Sequence, residues 1–487
     1  MNSSGRVVVV GAGPVGLWLA AELALGGATP VVLEREPERS PHSKALGLHP
    51  RTLEVLALRG VEGGFLRAGG RTSGWHFGML PTRLDFSGLP TPFPFLLTQP
   101  QAETERLLEE RARALGVEVL RGHEVTGLTQ DADGVVLRVA GRPDVRAEYV
   151  VGADGAGSAV RAAAGIEFPG TESTHFGFLG DVVLADPPPL PNGWHTAEGA
   201  LMAVPLPDGR FRLVGYDPRA GREPLTLDGL RAVTRRIAGT DFGAHSPSWL
   251  SRFGNATKVA ARYRQGRVLL AGDAAHRNFP AGGVGLNVGV QDAMNLGWKL
   301  AAVLTGRAPE SLLDDYHAER WPVGVQLAEH TQAQTALITG VSPEGRALRK
   351  LLSELLAGDR ALLEALAAKL SALDVAYPDP AGHPVAGARV PLREGLFEHF
   401  HSGAPVLLTT GTTGPDGPDG PDGSVAGVAA VRVTPDDLPG TGVAAALVRP
   451  DGHVWRAFED ADDLGAIEAA VRELWPPAAQ FRSTLKE

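Results

Sequence analysis

An uninterrupted β-branched run at residues 7–10 opens the chain, as expected of a parallel strand buried on both faces. A glycine-rich turn follows, and residues 14–25 read as a helix with Pro14 in its first turn. Residues 30–33 supply a second strand ending at Glu34, which completes a βαβ unit. At 75–97 and 175–216, short aromatic-rich segments broken by Pro and Gly predict antiparallel strands, one hairpin turning at Pro207-Asp208-Gly209. These two stretches are expected to form a sheet domain inserted between pieces of the first. Residues 101–115 read as helix, 149–155 as a buried strand entering a turn, and 267–271 as another buried strand. Helix is expected at 289–304, with Met294, Trp298 and Ala301 at helical spacing, and over most of 310–372. There Leu348, Leu351, Leu352, Leu355 and Leu356 make one apolar stripe, expected in core or interface.

Beyond Pro380 the composition shifts to Pro and Gly, and a third unit begins: a strand at 405–410, a hairpin at 444–458 around Pro450-Asp451-Gly452, and a closing helix marked by Leu464, Ile467, Val471 and Leu474. A threefold Pro-Asp-Gly repeat, 415–423, is too short for a collagen-like triple helix and reads as a mobile acidic loop. The expected division is 1–72, 98–172 and 262–380 for a discontinuous cofactor-binding domain, 73–97 and 173–261 for the inserted sheet, and 381–487 for the last unit.

At 487 residues the chain exceeds one hydrophobic core, and 43% apolar content fills two or three domains. A net charge of −10 argues against a nucleic-acid or anionic-membrane surface. There is no Cys, which removes disulfides, thiolate metal sites, catalytic thiols and cysteinyl-flavin bonds, so redox chemistry requires a bound cofactor and no metal is expected. The apolar stretch 7–21 follows Arg6 in the manner of a signal peptide, but Gly11, Gly13, Pro14 and Gly16 interrupt it and it falls short of a membrane span of roughly 18 residues. Cytoplasmic residence without membrane association is the expectation.

The candidate chemistry lies in the glycines. In Gly11-Ala12-Gly13-Pro14-Val15-Gly16, the first glycine allows the tight turn, the second lets backbone approach a pyrophosphate, and the third lets helix and strand pack. The phosphates then sit at a helix N-terminus, worth roughly 0.3–2 kcal/mol beyond direct N–H bonds. Glu34 stands where a carboxylate accepts from ribose hydroxyls. About 260 residues on, Gly272-Asp273 and the 282–287 loop form a second glycine-rich site. Two such sites favour a long dinucleotide such as FAD over a mononucleotide. Asp273 can accept from a polyol hydroxyl, with a helix cap as the bland alternative. Amides at the start of the following helix would stabilise negative charge on a reduced flavin.

With Glu34, the segment 154–161 (Asp154-Gly155-Ala156-Gly157-Ser158-Ala159-Val160-Arg161), Gly272-Asp273 and Pro280-Ala281-Gly282-Gly283 before Gly285-Leu286-Asn287, the chain resembles class A single-component FAD-dependent monooxygenases of the p-hydroxybenzoate hydroxylase-like fold. The branch it resembles is that of aromatic polyketide hydroxylases of antibiotic biosynthesis, over essentially the whole chain. The resemblance implies an α/β fold: a Rossmann-like FAD-binding domain of the GR2 type, an inserted antiparallel-sheet substrate domain and a thioredoxin-like C-terminal domain. It implies that Gly11, Gly13, Pro14, Val15 and Gly16 form the pyrophosphate turn, that Glu34 binds the adenosine ribose, Val125 the adenine side through its backbone, Gln101 the ribityl or ring region and Asp273 the ribityl chain, and that Arg35 and Lys44 are further cofactor contacts. Pro280, Gly283, Gly285, Leu286 and Asn287 would border the flavin ring. Asp154 would stand between FAD and NADPH or NADH, its rival role being a turn cap paired with Arg161. Lys44 occupies a position where many relatives carry Arg, and His276 is expected to be structural because the second His common in the family is replaced by Arg277-Asn278-Phe279.

The implied reaction is reduction of FAD by NAD(P)H, addition of molecular oxygen at flavin C4a, and transfer of the distal oxygen of that hydroperoxide to a polycyclic phenolic substrate. No catalytic triad is needed. Candidate substrate contacts are Trp75, Phe77, Phe95, Phe176, Phe178, Met202 and Tyr216. Rival readings are Baeyer–Villiger oxidation or epoxidation, a flavin-linked reductase, and a noncatalytic flavin-binding or substrate-sequestering protein. A homodimer stays open.

Overall fold

The computed structural model describes residues 6–189, 192–379, 382–411 and 423–476. Most of the Pro-Asp-Gly repeat therefore lies outside the described residues.

The opening strand, Arg6–Val10, is central to a six-stranded sheet. Val7, Val8 and Val9 are fully buried because helices or loops cover both faces. The strand pairs in parallel with Thr29–Glu34 on one side and Tyr149–Gly152 on the other, and Glu118–Arg121 and Val268–Leu270 extend the sheet outward. Only the edge strand, Arg264–Gln265, runs antiparallel. The first helix, Pro14–Leu25, is buried nearly all round and is matched by the almost wholly buried helix Gly285–Leu304. The latter begins four residues before the sequence expectation, at the glycine loop itself. A three-stranded antiparallel layer, Val125–Asp131, Gly134–Val139 and Val145–Ala147, completes the nucleotide-binding side.

The inserted sheet has five antiparallel strands in the order Gly193–Thr196, Gly199–Pro205, Phe211–Tyr216, Phe176–Leu184 and Ala244–Gly254. Helix Leu227–Ala238 covers one face, burying Leu230, Val233 and Ile237 against Phe178, Val182 and Leu213. The other face looks toward the cofactor-binding body. One expectation is corrected: segment 73–97 adds no strand here. Gly74–His76 pairs only with Arg83–Asp85, and Leu96–Thr98 pairs with Gly47–Leu48 and Gly70–Thr72. Its apolar side chains instead pack on the later helices, Leu312–Thr339, Pro343–Gly358 and Arg360–Leu370. The leucine stripe also splits. Leu356 is buried and Leu352 packs beside it, whereas Leu348, Leu351 and Leu355 are more than half exposed.

The last unit is a mixed five-stranded sheet centred on Val406–Thr409, parallel to Val428–Arg432 and antiparallel to Ala445–Val448. Ile467, Val471 and Leu474 of the closing helix, Leu464–Leu474, pack on Leu407 and Leu447. Its hairpin turn enters the main body. Arg449 is fully paired by Glu319 at 2.6 and 2.9 Å and Asp451 at 2.5 Å, while Lys299 and Asn295 each reach Glu319 at 2.6 Å. Among the described residues no helix is long and apolar enough to cross a membrane.

Candidate active site

Three glycine-rich segments, far apart in sequence, meet at the carboxyl ends of the parallel strands. Gly11 has φ +107°, and a Cβ there would collide with the Ala153 carbonyl; Gly16 lies equally tightly on the Gly11 carbonyl. Gly13 differs, since a Cβ on it would meet nothing within 4 Å. That open side is where a pyrophosphate can approach, at the start of a helix whose first N–H groups have no side-chain cap. Val15 locks the segments together: it is the nearest neighbour facing both Gly272, φ +60°, and Gly289. Pro14 begins the helix.

Glu34 ends the second strand, and its Oε2 accepts from the Ala12 amide at 2.7 Å, placing a carboxylate over the turn. The His123 amide donates to the Glu34 carbonyl at 2.8 Å, which brings Val125, two residues on, to the same end. Arg35 points outward and pairs with Glu36 at 3.2 Å, so the structure does not bring it to the turn. Gln101 heads its helix and accepts from the Ala45 amide at 3.0 Å, tying that helix to the segment carrying Lys44. The Lys44 side chain is exposed, while its carbonyl accepts from Arg212 at 3.2 Å.

Asp273 and Pro280 are exposed at their turns, as the cofactor reading requires. Asp154 is held by the Val160 amide at 3.2 Å, the helix-capping role, but its Oδ1 is buried and has no hydrogen bond among the described residues; burial raises its pKa. Arg161 does not act as a simple partner for Asp154. It donates to the Ala274 carbonyl at 2.8 Å and lies 3.8 Å from the Phe168 ring, tying the middle motif to the Gly-Asp turn. His276 is structural: Nε2 meets Asp292 at 2.7 Å, and Asp292 is shared with Arg320 at 2.8 Å.

The turn 280–287 faces the inserted sheet. Gly282 and Gly283 have positive φ, and helix Gly285–Leu304 then starts with no side-chain cap, leaving the Leu286 and Asn287 amides available to an anionic ring edge. The Asn287 side chain staples the turn, accepting from the His49 amide at 2.8 Å and donating to the carbonyls of Gly47 and Gly283. Across from it Tyr216 packs with Phe279, Ala281 and Ile338. Cross-strand register places Met202 on the same face as Tyr216, since their partners alternate along one pleat.

The other substrate candidates are corrected. Phe178 is fully buried on the opposite, helix-covered face, and Phe176, two residues earlier, shares that face. Trp75 and Phe77 belong to the core beneath the later helices, and Phe95 packs beside Phe93 under Arg71. Several residues on the cleft side had no sequence signal. His175 Nδ1 lies 3.1 Å from the Tyr216 hydroxyl, and the buried Asp181–Arg212 pair, at 2.8 Å, supports the Lys44 segment. His195 reaches the Ile338 carbonyl at 3.0 Å, and burial lowers its pKa to about 4. Only pairing across strands brings these isolated side chains together.

The residues present thus fit a dinucleotide beside an apolar face. Residues 5–331 match the FAD binding domain family and residues 383–478 the C-terminal domain of aromatic-ring hydroxylases. The chain is 46% identical to an uncharacterized aromatic compound monooxygenase of Bacillus subtilis, covering 95% of this chain and 96% of the relative. It is similar to the solved anhydrotetracycline hydroxylase of Streptomyces rimosus, at TM-score 0.86 and 42% identity over 97% of this chain and 100% of that one. It is also similar, at TM-score 0.83 and 34% identity over 98% and 100%, to a Diels–Alderase of pyrroindomycin biosynthesis. The chain belongs to the FAD-dependent aromatic-ring monooxygenases, in the class A branch of aromatic polyketide hydroxylases, and is a flavoprotein monooxygenase.

Proposed function

We propose that the protein hydroxylates a polycyclic phenolic substrate with FAD, molecular oxygen and NADPH or NADH. The observation that carries this reading is the convergence of three glycine-rich motifs on one cleft whose opposite wall is the Tyr216–Met202 face. When bound, FAD would supply the redox chemistry that delivers one oxygen atom to an electron-rich ring. The chain supplies binding, orientation and exclusion of water. Glu34 would hold the adenosine ribose, Val125 border the adenine, and the open side of Gly13 receive the pyrophosphate. Gln101 and Asp273 would bind the ribityl chain, Lys44 and Pro280 flank the ring, and the Leu286 and Asn287 amides hold its pyrimidine edge. The raised pKa and free oxygen of Asp154 suit a group between FAD and the nicotinamide. The GR2-type Rossmann assignment of the six-stranded sheet and the thioredoxin-like assignment of the last unit belong to the same proposal. Without Cys, that unit serves packing, not disulfide exchange.

The test is turnover of the FAD-loaded enzyme with NADPH, isotopically labelled oxygen gas and a panel of polycyclic phenols. Products one labelled oxygen heavier, hydroxylated on the ring, support the proposal; ring-expanded or epoxide products replace it with the corresponding oxygenation. The similarity to a Diels–Alderase gives a second reading in which FAD is retained without oxygen transfer. Label found only in peroxide or water for every ligand that binds would overturn the hydroxylation proposal.

A further inference from the structure

A cavity of about 300 Å³ lies between the start of helix Gly285–Leu304, the middle of Leu312–Thr339 and the end of Arg360–Leu370. None of its walls comes from the five-stranded sheet, so it is separate from the Tyr216 face. Val284, Val288, Val323, Leu327, Leu370 and Val375 make it largely apolar. Three lining residues nevertheless keep a buried polar atom with no hydrogen bond among the described residues: His49 Nδ1, His330 Nε2 and Ser371 Oγ. Buried polar atoms of this kind find partners in native proteins, and three around one cavity call for a guest that hydrogen-bonds.

The chemistry of His49 narrows the guest. Its Nε2 lies 3.0 Å from the Gly282 carbonyl, which can only accept, so Nε2 carries the proton. Burial lowers its pKa to about 4, so at neutral pH the ring has no second proton, and Nδ1 presents a bare lone pair. The guest must therefore bring an O–H or N–H donor. Lys369 is paired with Asp374 at 3.4 Å, and Glu329 adds a further carboxylate to the lining, a setting that disfavours an anion. Water alone would satisfy the polar atoms and leave the apolar walls wet; a compact hydroxylated ring satisfies both, and the volume is at the small end of ligand sites.

We propose that this cavity is a second small-molecule site, distinct from the substrate cleft, which takes a neutral, hydroxyl-bearing and otherwise apolar ring of the phenol class. Its occupant would be sensed by the flavin turn, because His49 holds Gly282 through its ring and Asn287 through its backbone amide. The site stands whether or not the protein hydroxylates its substrate.

Resorcinol titrated into the FAD-loaded enzyme, followed by melting temperature and flavin fluorescence, tests it. Saturable binding should weaken at least tenfold in Val375→Trp and in the milder Ser371→Ala, and stay within about twofold in Met202→Trp, which obstructs the sheet face. The dimethyl ether of resorcinol, which lacks the donor, should bind at least tenfold more weakly. The proposal is overturned if Met202→Trp abolishes binding while Ser371→Ala keeps it, if the ether binds equally well, or if resorcinol shows no saturation and the cavity holds water only.

Discussion

Gly11 and Gly13 lie two positions apart in one motif but answer to different constraints, and substitution should separate them. Gly11→Ala puts a Cβ against the Ala153 carbonyl at φ +107°, so the apoprotein should lose on the order of 1–3 kcal/mol, read as a lower denaturation midpoint. Gly13→Val meets open space at an ordinary extended backbone angle, φ −77°. Its apoprotein should stay within about 0.5 kcal/mol of the parent, a change typical of sites without packing contacts, while FAD affinity falls at least tenfold. Equal loss of FAD in both variants with unchanged apoprotein stability would contradict this division. At this scale the motif residues were legible because each role demands one residue type. His49, His175 and Arg212 were not, since a lone His or Arg carries no spacing and gains meaning only from a neighbour more than 30 positions away.

Among elements, the opening strand Arg6–Val10 and the closing helix Leu464–Leu474 lie where their apolar positions place them. What the period left open was the partner of each face. Phe178 and Tyr216 both sit in alternating strands, but the helix Leu227–Ala238 claims the face of one and the cofactor-binding body the face of the other. Segment 73–97 has the right composition for the inserted sheet, yet its strands find their hydrogen bonds elsewhere. The leucine stripe gives a measurable contrast. Leu356→Ala should cost about 2–5 kcal/mol, whereas Leu351→Glu and Leu355→Glu should each change stability by less than about 0.5 kcal/mol. Equal costs from chemical denaturation would mean that the exposed leucines are covered.

Across the whole molecule, the C-terminal hairpin is joined to the body by buried charges. Removing one member leaves buried charge undercompensated, so Glu319→Gln, which takes the carboxylate from Lys299 and leaves Arg449 with Asp451 alone, should destabilise by about 3–5 kcal/mol and make the last unit sensitive to limited proteolysis. Acid should act on the same assembly. The charges around Glu319 hold its pKa near 2 despite the opposing effect of burial, so the stability it contributes is present above about pH 4.5 and is lost as pH falls toward 2. Burial lowers His49, His76, His195 and His453 from 6.5 to about 4. The unfolded chain binds protons that these refuse, so stability should fall as pH drops from about 6.5 to 4, by up to about 1.4 kcal/mol per pH unit for each. Asp154 and Asp315, raised by burial, oppose part of this loss. A melting temperature flat between pH 6.5 and 4.5, or a slope unchanged in His453→Gln, would contradict the assignment.

The amino-acid order by itself determined the βαβ start, the glycine motifs, the carboxylate at Glu34 and the absence of thiol chemistry, because these depend on residue identity, local backbone freedom and short-range periodicity. Tertiary structure alone decided which aromatic residues face the cleft, which polar groups are left without partners around the cavity, and how Arg449 docks the last unit. Those outcomes depend on which surfaces exclude water together. Exclusion is a property of packed neighbours distant in sequence, and no residue carries it alone.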